Sequence, residues 1–260
     1  MERNPGLTLS PCIEWLFADG GRPFPDRIRA ASDAGFSQVE FWTASDKDMS
    51  RVSRALRESN VAVTCLVSEP TGRIVDPASH HQFLEGVERS AELATRINAH
   101  NLIVVSGDSL TGVERDRQRQ AIVDALARAA PIASSAGIGL LLEPLNTRID
   151  HVGYFLDSTS EALQIVRDVG DPAVKVLYDM YHSVVMGEDP REVLDGACHL
   201  VGHVHVADLP GRHEPGSGTI DWPLQLGALR NAGYSGGVGL EYRPTHDTAS
   251  SLEYMRRLNP

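Results

Sequence analysis

Three carboxylates and one imidazole occupy matching places in four apolar runs. Glu143 closes Leu140-Leu141-Leu142-Glu143, Asp179 closes Val176-Leu177-Tyr178-Asp179, His205 lies in Gly202-His203-Val204-His205-Val206, and Glu241 closes Val238-Gly239-Leu240-Glu241. The spacings are 36, 26 and 36 residues, one repeating unit each. A lone carboxylate at a strand end is most often solvated or paired with an arginine. Four such groups in one register form a set. Brought together they repel one another unless a counter-charge is supplied, and a divalent cation supplies it economically. Oxygen-dominated ligation with one nitrogen suits Mn²⁺, Mg²⁺ or Co²⁺ better than a structural Zn²⁺ site.

Other residues gather around the same runs. His203 and His205 share side-chain parity, and two neighbours on one strand do not readily bind one ion. His205, deeper toward the C-terminal end, is the expected ligand; His203 either supports it from behind or packs in the core. His182 follows Asp179 by three residues and either faces a substrate or lies on the surface. Asn146 and Asp150 follow Glu143, where they hydrogen-bond substrate hydroxyls or their own loop. Glu40 in the second run with Trp42 just after it, and Trp15 after the first, place an acid and two large rings around the same mouth, where Glu40 and Trp15 are expected at the substrate. Rings there exclude water and set pocket size, or simply pack. The segment from Ala207 to Gly218 is rich in turn formers and contains Arg212-His213-Glu214. Arg212 is its best candidate for holding a substrate carboxylate. Gly216-Ser217-Gly218, shortly before a helix starting at Trp222-Pro223, offers an alternative phosphate cradle.

Eight short runs must position these groups: Leu7–Ile13, Gln38–Phe41, Val61–Val67, Asn101–Val105, Gly139–Glu143, Val174–Asp179, Val201–Val206 and Gly237–Glu241. Most are apolar on both alternations, as strands of a parallel sheet buried on two faces are. Helical spacing separates them: Phe83, Val87, Ala91, Ala94 and Ile97, then Ile122, Leu126, Ala129 and Ala133. Ser158 and Glu161 mark a helix start, and Gly137 and Gly170 mark stops. Eight βα units in 260 residues predict a single (β/α)8 barrel over 1–260, with functional groups at the C-terminal strand ends. A doubly wound open sheet is the competing architecture. It calls for a glycine-rich phosphate loop after the first strand; here that place reads Ser10-Pro11-Cys12-Ile13-Glu14-Trp15.

Composition narrows the chemistry. The net charge of −11 disfavours general nucleic-acid binding, including a metal-dependent DNA-repair nuclease. No apolar run is long enough to span a bilayer. Met1–Gly6 lacks the apolar core of a secretory signal, and the 3 cysteines are widely separated, so a reducing cytoplasm is expected. The only lysines are Lys47 and Lys175. Lys175 starts the sixth run, at the wrong end of a barrel, and Lys47 is read as lying in a polar loop. Schiff-base chemistry is therefore disfavoured. A non-catalytic sugar-binding module is the rival of another class.

Glu143-Pro144-Leu145-Asn146, Asp179-Met180-Tyr181-His182, the run from Gly202 to Pro215 with Pro210-Gly211-Arg212-His213-Glu214-Pro215 at its end, and Gly239-Leu240-Glu241-Tyr242-Arg243-Pro244 carry a resemblance. The sequence resembles the hydroxypyruvate isomerase family within the xylose-isomerase-like barrels, over the whole chain and most sharply from residue 140 onward. The resemblance implies that Glu143 and Glu241 flank a substrate and move its proton between neighbouring carbons. His182 and Arg212 then hold substrate oxygens, and hydroxypyruvate becomes tartronate semialdehyde. At His205 the chain departs from the glutamine expected in that family. There it is similar to ketose 3-epimerases, whose metal set is Glu, Asp, His and Glu. Epimerisation of a ketose, and decarboxylation or elimination from a keto-sugar acid, are the alternatives. Small keto acids or sugars are the implied partners, and homodimers or homotetramers are common among such proteins.

Overall fold

The computed structural model describes residues 7–258; Met1–Gly6 and the last two residues lie outside it. Eight strands form one sheet: β1 (Thr8–Pro11), β2 (Gln38–Val39), β3 (Ala62–Val67), β4 (Ala99–Val105), β5 (Gly139–Glu143), β6 (Val174–Asp179), β7 (Val201–Val206) and β8 (Gly237–Leu240). Their order is β1-β8-β7-β6-β5-β4-β3-β2, and every paired neighbour is parallel. The ring closes between β1 and β2 through Glu40, whose N–H donates to the Pro11 carbonyl at 3.0 Å while its own carbonyl accepts from the Ile13 N–H at 2.9 Å. This is the (β/α)8 barrel; the open-sheet alternative fails on strand order.

Among the described residues, ten α-helices occupy the connections or follow the last strand: α1 (Phe24–Asp33), α2 (Met49–Ser59), α3 (His80–Ile97), α4 (Arg115–Ala136), α5 (Thr159–Val169), α6 (Met180–Met186), α7 (Pro190–Val193), α8 (Trp222–Asn231), α9 (Thr248–Ser251) and α10 (Glu253–Leu258). The expected punctuation is present. Ser158 caps α5 by accepting from the Glu161 N–H, and Gly137 and Gly170 end α4 and α5 in the left-handed conformation that glycine adopts freely. No helix among the described residues is long and apolar enough to cross a membrane.

Strand alternation divides the core in two. Leu140, Leu142, Val176, Val204, Val206, Val238 and Leu240 belong to the main core shared with the helices. Leu141, Leu177, Cys65 and Ile103 form a separate small cluster inside the ring, with Val67 against it. Two residues beyond Leu141 and Leu177, on the same alternation, stand Glu143 and Asp179. The inner wall thus changes from apolar to ionisable within one step toward the C-terminal end.

Lys47 lies in the polar loop between β2 and α2, as expected, but its side chain is not solvated: it is 5% exposed, its Nζ lies 2.8 Å from Glu14 and 2.9 Å from Asp46, and it sits over the Phe24 and Phe41 rings. The long aliphatic stem buries against those rings while two carboxylates hold the ammonium. It is not among the residues that line the cavity described below.

Candidate active site

Glu143, Asp179, His205 and Glu241 come together at the C-terminal mouth of the barrel. One ligand-type atom from each lies within 4.8 Å of the others, and all four residues are buried. Local structure aims each of them. Pro144 cannot donate to the strand ladder, so β5 stops at Glu143. Asp179 ends β6 and caps α6: its Oδ1 accepts the N–H of Tyr181 at 2.8 Å and of His182 at 3.1 Å, which turns Oδ2 to the group. His205 points inward because Val204 and Val206 point outward.

The electrostatics within this group are uneven. Burial, with Glu241 and Asp179 beside it, pushes the Glu143 carboxyl up to about 8 against the pull of His205. Burial also opposes the charge on Glu241, yet Arg212, then His205 and the Trp42 indole N–H, hold its carboxyl below the usual range. The Trp42 Nε1–H donates to Glu241 Oε1 at 2.6 Å, and the Arg212 guanidinium donates to Glu241 Oε2. His205 Nδ1 is 3.4 Å from Glu241 and 3.8 Å from Glu143, buried and without a hydrogen-bond partner. An unsatisfied imidazole nitrogen facing three carboxylates fits a divalent cation, and these four residues could hold one.

A second group lies beneath and shares His205. Glu40, Cys65, His203 and His205 also bring ligand-type atoms within 4.8 Å of one another. His203 Nε2 and Glu40 Oε2 are hydrogen-bonded at 2.9 Å, and His205 Nε2 stands 3.1 Å from Glu40 Oε1. Burial works against the Glu40 carboxylate, but His205 and His203 hold it below its ordinary range. Gly239 makes this approach possible: a Cβ there would lie 2.2 Å from Glu40 Oε1 and 2.5 Å from His205 Cδ2. Glu40 was expected at the substrate. It is 2% exposed and does not line the cavity, so the structure places it behind His205 rather than beside a ligand.

A cavity of about 600 Å³ opens above, lined by Trp15, Trp42, Glu143, His182, Arg212 and Glu241 among others. Arg212 packs against Trp15 and Tyr181, its guanidinium carbon 5.4 Å from each ring centroid, and also lies 3.5 Å from Asp179 Oδ2. Its backbone has φ 56°, which costs a non-glycine residue of order 1–2 kcal/mol.

His182 faces the cavity in a defined state. Asn146 Oδ1 accepts the N–H groups of Ile149 and Asp150, both at 3.0 Å, so its Nδ2 must face His182 Nδ1, 2.7 Å away. The Asn146 N–H donates to the same nitrogen at 3.1 Å. Nδ1 is therefore the acceptor, and the ring proton sits on Nε2. Burial pushes the imidazole down to about 4, so it is neutral at neutral pH. Asn146 itself is fully buried and holds its loop and His182; Asp150 accepts from the Tyr181 hydroxyl at 2.9 Å.

The Gly216-Ser217-Gly218 segment wraps a carboxylate of its own chain. Asp208 Oδ2 accepts from the Gly216 N–H at 2.8 Å and the Trp222 indole at 2.9 Å, and Oδ1 accepts from the Leu209 N–H at 2.8 Å and the Ile220 N–H at 3.1 Å. The donors that a phosphate would need are taken. Asp208 had no assigned task in the sequence, and the Trp42 indole was read only as a ring. The short Gly-rich turn after Asp208 was the available signal for the first; nothing local signalled the second.

The model of the xylose isomerase-like TIM barrel family matches residues 28–258, and the chain belongs to that family. It is 29% identical to the hydroxypyruvate isomerase of Escherichia coli, over 96% of this chain and 98% of the other. It is 30% identical to the 2-oxo-tetronate isomerase of Cupriavidus necator, over 90% and 92%. A solved Brucella melitensis structure titled AP endonuclease, family 2 superposes with a TM-score of 0.89 at 29% identity, over 98% and 100%.

Proposed function

We propose that the protein is a divalent-metal-dependent isomerase of small hydroxy-keto acids, with hydroxypyruvate, converted to tartronate semialdehyde, as its foremost substrate. The observation that carries this reading is the pair Glu143 and Glu241: both buried, both on the cavity wall, and held at opposite ends of the carboxyl range. The isomerase names of the E. coli and C. necator relatives support it.

Isomerisation moves one proton between neighbouring carbons through an enediolate. One glutamate takes the proton from the hydroxymethyl carbon, the other returns one at the former carbonyl carbon, and the proton of the hydroxyl passes to the former carbonyl oxygen. The His182 Nε2–H, fixed by Asn146, donates to a substrate oxygen. Trp15 and Trp42 keep water from the reacting carbons. Glu143, Asp179, His205 and Glu241 would hold the cation, Mn²⁺ or Mg²⁺ foremost and Co²⁺ after them; when bound, such a cation supplies a Lewis acid for the carbonyl and hydroxyl oxygens. A nucleic-acid partner is not part of this reading, because a chain of net charge −11 with carboxylates on its cavity floor repels a phosphate backbone.

The test is an NMR screen of purified, Mn²⁺-loaded protein against hydroxypyruvate, 2-oxo-tetronate, free ketoses and keto-sugar acids. Tartronate semialdehyde from hydroxypyruvate is the expected product. Turnover of free ketoses alone would assign the site to epimerisation instead.

A further inference from the structure

The cavity wall carries two arginines in unlike circumstances. Arg212 is drawn down onto Glu241 and Asp179, and its side chain is only 16% exposed. Arg243 lines the same cavity and is exposed, and among the described residues its side chain has no ion pair and no hydrogen bond. Its position is nevertheless fixed. The Arg243 N–H donates to the Arg212 carbonyl at 2.9 Å, and its own carbonyl pairs with His213 Nδ1 at 2.8 Å, so the backbone is clamped on both sides. Its guanidinium carbon lies 4.9 Å from the centroid of the Trp15 ring. Trp15 in turn packs edge-on against Trp42, centroid to centroid 4.8 Å, and Trp42 donates to Glu241. Two indoles packed edge to face thus connect an uncommitted cation at the rim to a carboxylate on the floor.

A keto acid of three or four carbons has its charge at one end and its exchangeable proton at the other. The floor of the cavity offers Glu143 and Glu241 to the second end. The charged end needs a cation that is not already paired, and a planar guanidinium matches a carboxylate with two parallel hydrogen bonds. We infer that Arg243 receives the carboxylate of the substrate and so sets the preference for anionic keto acids over neutral ketoses. Arg212, expected from sequence to bind that carboxylate, also lines the cavity but is already paired with Glu241 and Asp179. The inference rests on the keto-acid reading above, and it adds a specificity-determining residue that the metal set and the two glutamates do not include.

The test compares wild type with Arg243→Met and Arg243→Lys, all Mn²⁺-loaded. For Arg243→Met the expected result is a rise of tenfold or more in KM for hydroxypyruvate with kcat changed less than threefold. Arg243→Lys falls between the two. Dihydroxyacetone, which replaces the carboxylate by a neutral hydroxymethyl group, binds weakly by calorimetry and indifferently to the substitution. An unchanged KM in Arg243→Met overturns the inference while leaving the keto-acid reading intact. Equal weakening of hydroxypyruvate and dihydroxyacetone also overturns it, since charge is then not what Arg243 reads. If wild type turns over no keto acid, the functional reading fails. Calorimetry with glycerate then decides Arg243 separately: binding lost in Arg243→Met supports an anion subsite, and absent or unaffected binding removes it.

Discussion

His205 belongs to two buried groups of ligand-type side chains that differ in charge balance and in access. Below it, Glu40 is enclosed by His203 and His205 at 2.9 and 3.1 Å, outside the cavity lining, and its carboxylate is stabilised by both rings. Above it, Glu143 has one imidazole, His205, at the longer distance of 3.8 Å, shares the space with Asp179 and Glu241, and is driven up to about 8 by burial. The lower group is compensated by the chain itself. The upper group has three carboxylates against one imidazole and the Arg212 guanidinium, and it faces an open cavity. Two clusters that could each hold a metal ion are thereby separated by charge balance and access. A buried carboxylate whose charge is balanced by its neighbours holds a structure together; one left short of a counter-charge is where chemistry is done.

The largest effect that could break this comparison is on turnover. Glu143→Gln is expected to lower kcat on hydroxypyruvate by about 10²–10⁴-fold, the usual worth of a positioned acid or base. The circular dichroism spectrum should be unchanged. Near-normal turnover would show that the upper group is not the reacting one. Next in size is stability. Glu40→Leu leaves two buried imidazoles without their carboxylate and should cost about 3–5 kcal/mol in chemical denaturation. In chelator-treated protein Glu143→Gln should cost nothing or stabilise; equal losses at both sites would erase the distinction. Smaller again is the influence of the lower group on the upper. Glu40→Gln removes the negative charge 3.1 Å from His205 Nε2 and should reduce Mn²⁺ affinity, read by calorimetry, by roughly 10–100-fold.

The effect that accrues most gradually is a pH slope. Below the ordinary carboxyl value of 4.5, Glu143 is protonated whether the chain is folded or not; between there and about 8, only the folded chain keeps the proton. Stability therefore falls as pH rises through that window, by at most ~1.4 kcal/mol per pH unit for one proton. Thermal unfolding of chelator-treated protein should show this decline, and Glu143→Gln should flatten it. A decline of equal steepness in the variant assigns it to another group.

Much of the upper group was legible because strand alternation and repeat spacing are local properties. Glu143, Asp179, His205 and Glu241 each stand two residues from an inward-facing neighbour, and one βα unit separates each from the next. The lower group was not legible in the same way. Glu40 meets His205 from the strand that closes the ring, 165 positions earlier in the chain, and only the missing side chain at Gly239 hints at that approach. Trp42 was visible as a ring, but its N–H on Glu241 depends on a rotamer that no pattern encodes. Arg212 was found as a cation beside the site; its turn downward onto Glu241 and Asp179 follows from loop geometry set by Asp208 and its ring of donors. Lys47 was placed correctly in its loop, but its burial was not legible, because a charged residue among Thr43, Ser45, Asp46 and Asp48 reads as solvated whereas the fold lays it over Phe24 and Phe41.

The central claim is that the upper group moves a carbon-bound proton of a small keto acid. Incubating Mn²⁺-loaded protein with hydroxypyruvate in D2O and following deuterium by NMR tests it most directly. Wild type should give tartronate semialdehyde labelled at the former carbonyl carbon and wash label into the hydroxymethyl group of the remaining substrate, both lost in Glu143→Gln. Absence of product and label with wild type, or full labelling with Glu143→Gln, would contradict the claim.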